Sequence, residues 1–363
     1  MNFFSPDTIL VRAPNWIGDQ IMAYPFFHFL RRAYPKSKII CACVSWVEDV
    51  QFRNLVDEVV VLPRAVVSGV WAKVEALEAG ARLLKKSGPF DLAICLPNSF
   101  SSGWIQFRAG AKQRRGYATD NRGFLLTDKE SWDRGHGVHR SQAYVNLLPK
   151  SEVPQTHIRD FFGIPAENDL DPGVPGVIPR FEVDRAWPHS EKQVPPDFPY
   201  WVLAPGSVAE SRRWFESSFS TLAQMIFEKT GKKGLVVGGP TEAPIASHLE
   251  QTSNGVLIDY AGRGPVTSYA KVFQSSAFTV SNDSGLAHVA SLCGSSVYVI
   301  WGAGDPNRTQ PLGPGKVKII FNPIDCWPCE RNVCLREDGR KLECLEGIQP
   351  EIVFKEMVSY VTR

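Results

Sequence analysis

The turn that follows the first apolar segment of the chain ends in a glycine and a carboxylate. It reads Arg-Ala-Pro-Asn-Trp-Ile-Gly-Asp over residues 12–19, and it lacks the pattern G-x-G-x-x-G of a dinucleotide site. Asp19 is interpreted either as an N-cap that accepts amide hydrogen bonds or as a general base at the edge of a sheet. The two interpretations are compatible, because a helix N-terminus favours the ionised carboxylate.

A second polar cluster, Asn-Asp-Ser-Gly-Leu-Ala-His, occupies residues 282–288 after another apolar segment. Asp283 and Ser284 are expected to open a helix, and Gly285 lets a ligand approach the backbone closely. The free amides of that first turn, together with the helix dipole, suit a diphosphate. His288 is either a contact to the same ligand or a satisfied core residue, and Asp283 is either a ligand contact or a cap.

Two other turns in the second half carry polar groups that suit a nucleotide. In Ala-Pro-Gly-Ser, Gly206 breaks a strand and Ser207 offers a hydroxyl. Arg212 follows in the same loop, either as an exposed surface residue or as the positive charge that a departing diphosphate needs. The turn Gly-Gly-Pro-Thr-Glu ends at Glu242, which either accepts hydrogen bonds from ribose hydroxyls or favours the first turn of a helix.

Positive charge is concentrated locally in this chain. The formal net charge is only +2, yet residues 108–140 contain eight Lys or Arg against four Asp or Glu. This stretch is either a solvated face of mixed charge or a docking site for an anionic acceptor, held by the forked donors of arginine. Because the net charge of the whole chain is close to zero, we do not expect nucleic acid as a partner.

The eight cysteines fall into two groups. Four of them sit in apolar segments and are expected to be small core residues, which indicates a reducing compartment. The other four form the pattern C-x₂-C-x₄-C-x₉-C, of which only the C-x₂-C half has zinc-site spacing. A zinc site, a disulfide and packed free thiols remain open for this late group, which consists of Cys326, Cys329, Cys334 and Cys344.

Length and composition are those of a two-domain globular protein. The chain has 363 residues, of which 44% are hydrophobic and 21% charged. It shows neither a secretion signal at its start nor a run of about 18 apolar residues. We therefore expect a cytoplasmic protein that does not span a membrane.

Alternating strands and helices must position these turns. Such alternation predicts an α/β fold with parallel sheets and helices on both faces, whose ligands bind at the carboxyl ends of the strands. Expected strands cover residues 8–12, 38–44, 58–62, 91–96, 200–204, 234–237, 256–258, 278–281 and 297–301. Expected helices cover residues 20–34, 70–86, 215–230, 243–251, 266–275, 284–293 and 350–360.

The alternation stops between residues 168 and 199, where seven prolines predict a linker. The sequence therefore predicts two domains, residues 1–180 and 181–363, with one deep cleft between them. The last helix is expected to pack either within its own domain or back on the first.

Taken together, these residues resemble the ADP-heptose:lipopolysaccharide heptosyltransferases, in particular the heptosyltransferase II branch. The resemblance covers nearly the whole chain and rests on the order and spacing of several motifs. They are N-W-I-G-D at 15–19, L-P-N-S-F-S-S at 96–102, R-R-G-Y at 114–117, A-P-G at 204–206, R-R-W at 212–214, N-D-S-G-L-A-H at 282–288 and the late cysteines.

The resemblance implies a GT-B fold of two Rossmann-like domains and an inverting, metal-independent transfer without a cofactor. Asp19 then matches the catalytic base, and Glu242 matches the ribose contact. Arg212 falls where the family usually has a lysine, which keeps the charge but changes its geometry. The implied diphosphate-sugar loop contains Asp283, Ser284, Gly285 and His288, with Gly206 and Ser207 in the neighbouring turn.

The resemblance also implies that the first half receives a lipid-linked acceptor from the lipopolysaccharide inner core, with peripheral contact to the inner membrane. The acceptor-binding residues would be Asn98, Ser99, Arg114, Arg115 and Arg122. Two other functions remain open, a nucleotide-sugar epimerase of the same fold and a two-lobed sugar-binding protein. The absence of an export signal argues against the second.

Overall fold

The computed structural model describes residues 5–65, 67–132, 138–149, 181–188, 190 and 193–361. The chain divides into two compact units. Of the described residues, the first unit contains those up to 149 and Arg185–Trp187, and the second contains 181–184 and those from Pro188 onward. The predicted boundary at residue 180 and the linker segment 168–180 lie outside the described residues.

In the described part of the first unit, six parallel strands form one sheet in the order β3-β2-β1-β4-β5-β6. The central strands are apolar runs that are buried on both faces, as a sheet covered by helices requires. The strands are β1 Thr8–Arg12, β2 Lys38–Cys43, β3 Glu58–Val61, β4 Leu92–Cys95, β5 Gln113–Tyr117 and β6 Asp128–Glu130. The helices are α1 Ile17–Met22, α2 Tyr24–Ala33, α3 Val70–Ser87, α4 Phe100–Arg108 and α5 Arg140–Val145.

The described part of the second unit repeats this strand order, as β12-β11-β10-β7-β8-β9. A short helix, α6 Val183–Ala186, precedes this sheet in the chain and contains residues of both units. The strands are β7 Tyr200–Ala204, β8 Lys233–Val236, β9 Leu257–Asp259, β10 Thr279–Asn282, β11 Val297–Trp301 and β12 Val317–Phe321. The helices are α7 Glu216–Thr230, α8 Ala243–Thr252, α9 Ala270–Ser275, α10 Gly285–Leu292, α11 Pro306–Thr309, α12 Glu343–Glu346 and α13 Pro350–Val361.

Both sheets have the strand order of a Rossmann fold, whose ligand crevice lies where the order reverses. In the first unit this point lies between β1 and β4, which pair from Ile9 to Arg12. In the second unit it lies between β7 and β10, where Ala204 pairs with Ser281. The turns after these four strands carry the polar motifs noted above, so the sheet topology brings distant motifs to one edge of each unit.

The helix predicted over residues 20–34 is divided into α1 and α2 at Ala23. The prediction of one continuous helix is wrong here because Pro25 has no amide hydrogen to continue the ladder of α1, although proline is well accommodated in the first turn of α2. The break leaves α1 as a short element whose first turn contains Asp19.

The last helix, α13, contributes Val353 and Met357 to the core of the second unit and packs against α7. Arg185–Trp187 belong to the first unit although they follow residue 180, because the Trp187 ring stacks on Phe52. Among the described residues, no helix is long and apolar enough to cross a membrane.

Candidate active site

In the second unit, the turns after β7 and β8 lie against each other through two glycines and one carboxylate. A Cβ atom on Gly206 would lie 2.6 Å from Cγ of Glu242, and one on Gly238 would lie 2.5 Å from its Cβ. Glu242 is further held by the amide of Gly239, which donates to Oε2 at 2.8 Å. Gly206 therefore makes room for the Glu242 side chain, and the half-buried carboxylate is presented at the carboxyl edge of the sheet.

The turns after β7 and β10 are joined by hydrogen bonds. The Ser207 hydroxyl donates to the carbonyl of Asp283 at 3.1 Å. Asn282, which is fully buried, donates from Nδ2 to the Pro205 carbonyl at 2.6 Å and accepts from the Trp214 amide at 3.1 Å. Asn282 thereby locks both turns to the segment that carries Arg212. Nothing but its place in a motif distinguished Asn282 in the sequence.

Arg212 and Asp283 form an ion pair at this edge. Nε of Arg212 lies 3.3 Å from Oδ2 of Asp283, whose side chain is 4% exposed. Neither atom has a hydrogen-bond partner among the described residues, so charge alone holds the pair. A Cβ on Gly304 would come within 2.8 Å of the same oxygen, and the glycine thus makes space for the carboxylate.

Burial raises the pKa of Asp283 to about 6, against the opposing effect of Arg212. The folded state then binds a proton that the unfolded chain has already released, so the free energy of unfolding should fall as pH rises from about 4 to about 6. Replacing Asp283 by Asn should remove this fall and make the variant the more stable protein at neutral pH, by about 1–3 kcal/mol. Urea unfolding between pH 4 and 8 measures the difference. Parallel stability curves for both proteins would contradict the assignment.

Ser284 occupies the N-cap position of α10, and Gly285 is its first residue. Both are partly exposed, so the first-turn amides of α10 face the carboxyl edge of the sheet. His288 lies one turn further and is 4% exposed. The structure therefore places Asp283, Ser284 and Gly285 at the edge, and it buries His288 within α10.

Residues of the late cysteine segment form hydrogen bonds with the loop that precedes Arg212. Ser211 is 1% exposed; its hydroxyl donates to the Arg331 carbonyl and its amide to the Asn332 carbonyl. Its own carbonyl accepts from Ala303, in the loop after β11. Lys341 adds an ion pair to Glu210 at 2.8 Å. The sequence held no signal for Ser211, because its partners Ala303, Arg331 and Asn332 lie far from it along the chain.

The thiols of that segment are free, with Cys326 exposed and Cys329, Cys334 and Cys344 partly buried. The described residues include no group of three or more His, Cys, Asp or Glu side chains placed to hold a metal ion. The structure shows no disulfide among these four thiols, and a zinc site stays an untested prediction.

In the first unit, Asp19 lies in the first turn of α1, and two side chains of α5 contact its carboxylate. The N-cap position belongs to Trp16, so the interpretation of Asp19 as the cap is wrong. The Tyr144 hydroxyl donates to Oδ1 of Asp19 at 3.3 Å, and Nε of Arg140 lies 3.7 Å from the same oxygen. Burial, and then the charge of Asp19, raise the pKa of Tyr144 well above its usual value, so this hydroxyl keeps its proton and donates.

Arg12 anchors the turn between β1 and α1. Its side chain is buried, and Nη2 donates to Oδ1 of Asn15 at 2.6 Å. The Asn15 carbonyl in turn accepts from Nε1 of Trp46 at 2.6 Å. Both contacts fix the backbone just before the Asp19 helix.

Asn98 and Ser99 form the turn after β4, and the buried Arg122 holds that turn in place. Nη1 of Arg122 donates to the carbonyls of Pro97 at 2.6 Å and Ser99 at 3.1 Å. The Ser99 hydroxyl caps α4 by accepting from the Ser102 amide. Oδ1 of Asn98 and Nη2 of Arg122 are buried without a hydrogen-bond partner among the described residues. A buried polar atom of this kind can take a polar ligand or an ordered water as its partner.

Arg114 and Arg115 are engaged within the first unit. Each of the three guanidinium nitrogens of Arg115 has a partner: the Leu147 carbonyl at 2.7 Å, Asp128, and Glu130 at 2.6 Å. Arg114 donates to the carbonyls of Leu125 and Ala111, both at 2.6 Å. These contacts favour a structural role over acceptor binding. Residues 133–137 of the basic stretch lie outside the described residues.

A family model described as glycosyltransferase family 9 (heptosyltransferase) matches residues 80–338 of the chain. The chain belongs to this family. The match includes β4 to β12 and three of the four late cysteines, and with them the turns after β7, β8 and β10.

This family 9 chain is similar to known heptosyltransferases over most of its length. It is 26% identical over 331 residues to lipooligosaccharide heptosyltransferase 2 of Haemophilus ducreyi, covering 87% of this chain and 89% of the relative. The solved structure of Escherichia coli ADP-heptose LPS heptosyltransferase II superposes with a TM-score of 0.73 at 20% identity, covering 98% of both chains. The iron-containing heptosyltransferase TibC of enterotoxigenic E. coli matches less well, with a TM-score of 0.57 at 13% identity over 99% of this chain and 77% of that one. The predicted α/β fold of GT-B type is confirmed.

Proposed function

We propose that this family 9 protein transfers a heptose from ADP-heptose to the first heptose of the lipopolysaccharide inner core in the cytoplasm. The observation that carries the proposal is the convergence of Glu242, Ser207, Arg212 and Asp283 at the switch point of the second sheet. The names of the relatives supply the donor and acceptor classes.

In the second unit, Glu242 would accept hydrogen bonds from the ribose hydroxyls. Arg212 and the first-turn amides of α10 would carry the diphosphate, because they combine a fixed cation with the positive end of a helix dipole. Asp283 repels phosphate when it is ionised, so we assign it to the hydroxyls of the heptose.

In the first unit, Asp19 would act as the base, with Tyr144 and Arg140 holding its carboxylate. The acceptor hydroxyl gives its proton to Asp19 while its oxygen attacks C1 of the donor. The bond from C1 to the phosphate oxygen breaks, and ADP leaves with the electron pair, which inverts the anomeric carbon. Two observations support acceptor binding in this unit. Oδ1 of Asn98 has no hydrogen-bond partner among the described residues, and Arg122 holds the turn that contains Asn98.

The test is incubation with ADP-heptose and a truncated inner-core acceptor that carries one heptose, with ADP release and product mass as readouts. Transfer to this acceptor, and none to an acceptor that lacks the heptose, is the expected result. Conversion of the donor to an isomer without ADP release would indicate an epimerase. Tight donor binding without turnover would indicate a binding protein.

Turnover should be independent of metal ions. Arg212 and the helix amides supply the counter-charge that a metal would otherwise provide, and the proposed donor turns contain no D-x-D pair. We expect full activity in excess EDTA, with metal analysis of the purified protein beside it because TibC contains iron. Loss of activity that magnesium, manganese or iron restores would contradict the prediction.

A further inference from the structure

Helices α3 and α4 expose large apolar side chains that the proposed chemistry does not use. Four aromatic rings form a continuous row along and beside α4: Phe124 to Phe100 at 6.1 Å, Phe100 to Trp104 at 6.1 Å, and Trp104 to Phe107 at 5.9 Å. Phe124 is 71% exposed and Phe107 is 42% exposed. A contiguous exposed apolar surface of this kind indicates an interaction site.

The start of α3 adds a second exposed apolar group. Trp71 is 85% exposed and Val70 is 74% exposed, and Val74, one turn on, is 41% exposed. The two helices are joined by Glu78 of α3, which accepts from Trp104 and from Arg108 of α4. We call the exposed side chains of α3, α4 and Phe124 the aromatic surface.

Sheet topology places the aromatic surface beside the proposed acceptor turn. The strands of this sheet are parallel, so the helices that connect them run back across the sheet and begin at the carboxyl edge of its strands. Trp71 and Phe100 therefore lie towards the edge that carries Asp19. Phe100 also directly follows Ser99, the residue that caps α4.

Charge around the aromatic surface is mostly positive. Helices α3 and α4 together carry five Lys or Arg against two Glu. Two guanidinium groups lie over rings of the surface: Arg108 over Trp104 at 5.9 Å and Arg114 over Phe107 at 5.4 Å. Lys73, Arg82, Lys85 and Lys86 are exposed on α3. Aromatic and aliphatic side chains flanked by cations are the composition of a surface that enters an anionic membrane interface.

We propose that the aromatic surface docks this protein on an anionic lipid bilayer, so that the acceptor turn meets a lipid-linked sugar at the membrane. The choice of a lipid bilayer as the partner of this surface rests on the proposed function, because a lipid-linked acceptor is presented at a bilayer. Val70, Val74 and Trp71 extend the surface with exposed apolar groups, which favours a lipid surface over a sugar-stacking platform.

The test is flotation of the full chain with vesicles of phosphatidylethanolamine and phosphatidylglycerol, without donor or acceptor. The parent protein should bind these vesicles, and vesicles of phosphatidylcholine much less. The double variant Trp71→Ser/Phe124→Ser should lose about tenfold in partitioning. Phe198→Ser, which removes a 43% exposed ring from the second unit, should not change it. Circular dichroism of each variant verifies folding.

Activity assays separate this inference from the proposed function. The double variant should keep its turnover with a truncated soluble acceptor and lose it with acceptor embedded in vesicles. Equal losses with both acceptors would make the rings a sugar platform and overturn the inference. It would also be overturned if the parent did not float with anionic vesicles or if the double variant floated equally well. Vesicle binding by a protein without transferase activity would instead refute the proposed function.

Discussion

Replacing Asp19 by Asn should lower turnover on the order of 10²–10⁴-fold while leaving ADP binding nearly unchanged. The amide keeps the size of the side chain and its acceptor oxygen for Tyr144, but it cannot take the proton of the acceptor hydroxyl. Steady-state kinetics with the heptosylated acceptor measures the loss, and calorimetric titration with ADP measures binding. A turnover close to that of the parent would show that Asp19 only supports the contact between α1 and α5.

Two variants sharpen this test. Tyr144→Phe removes the hydrogen bond to Oδ1 and keeps the base, so it should lower turnover far less than Asp19→Asn does. Asp7→Asn removes an exposed carboxylate of the same unit and should leave turnover unchanged. A loss in Tyr144→Phe as large as that of Asp19→Asn would move the chemistry from the carboxylate to the hydroxyl.

The second large effect is expected at Arg212. Removing its charge by Arg212→Ala should lower turnover about 10²–10³-fold, because the developing charge on the departing diphosphate loses a fixed cation. It should also destabilise the fold at neutral pH, since Asp283 is left as an unpaired buried carboxylate. Initial rates and urea unfolding at pH 8 measure the two effects.

A double-mutant cycle separates catalysis from stability. Adding Asp283→Asn to Arg212→Ala should restore much of the folding stability and none of the turnover. Arg212→Lys keeps the charge and should retain most of the turnover, whereas Lys229→Ala, which removes an exposed charge from α7, should change neither quantity. Recovery of turnover in the double variant would show that Arg212 serves only to neutralise Asp283.

Much of the architecture followed from the sequence because the central strands are long apolar runs. Strands 8–12, 200–204 and 297–301 have the predicted bounds, and the other predicted strands differ by a few residues at their ends. Short apolar runs between glycine or proline turns indicate buried strands, because a helix usually needs about ten residues or more. The motif after each strand then predicted which turns would carry polar groups.

Elements of mixed composition were not predicted. β5, Gln-Arg-Arg-Gly-Tyr, and β6, Asp-Lys-Glu, consist largely of polar and charged residues. They form strands because β5 pairs with both β4 and β6, and because Asp128 and Glu130 neutralise the buried Arg115 across that pairing. The same charges had suggested an acceptor patch. A local window cannot distinguish an internal ion pair from a binding surface.

The sequence by itself determined the repeated α/β alternation, the family resemblance and the turns that hold Asp19, Glu242 and Asp283, since each depends on residues that are close along the chain. Tertiary structure alone decided which groups support them. Tyr144 meets Asp19 across 125 positions, and Ser211 meets Arg331 across 120. Sheet order and helix packing create such contacts, and no local pattern encodes them. Burial likewise arises only on folding, and it is burial that raises the pKa of Asp283 to about 6.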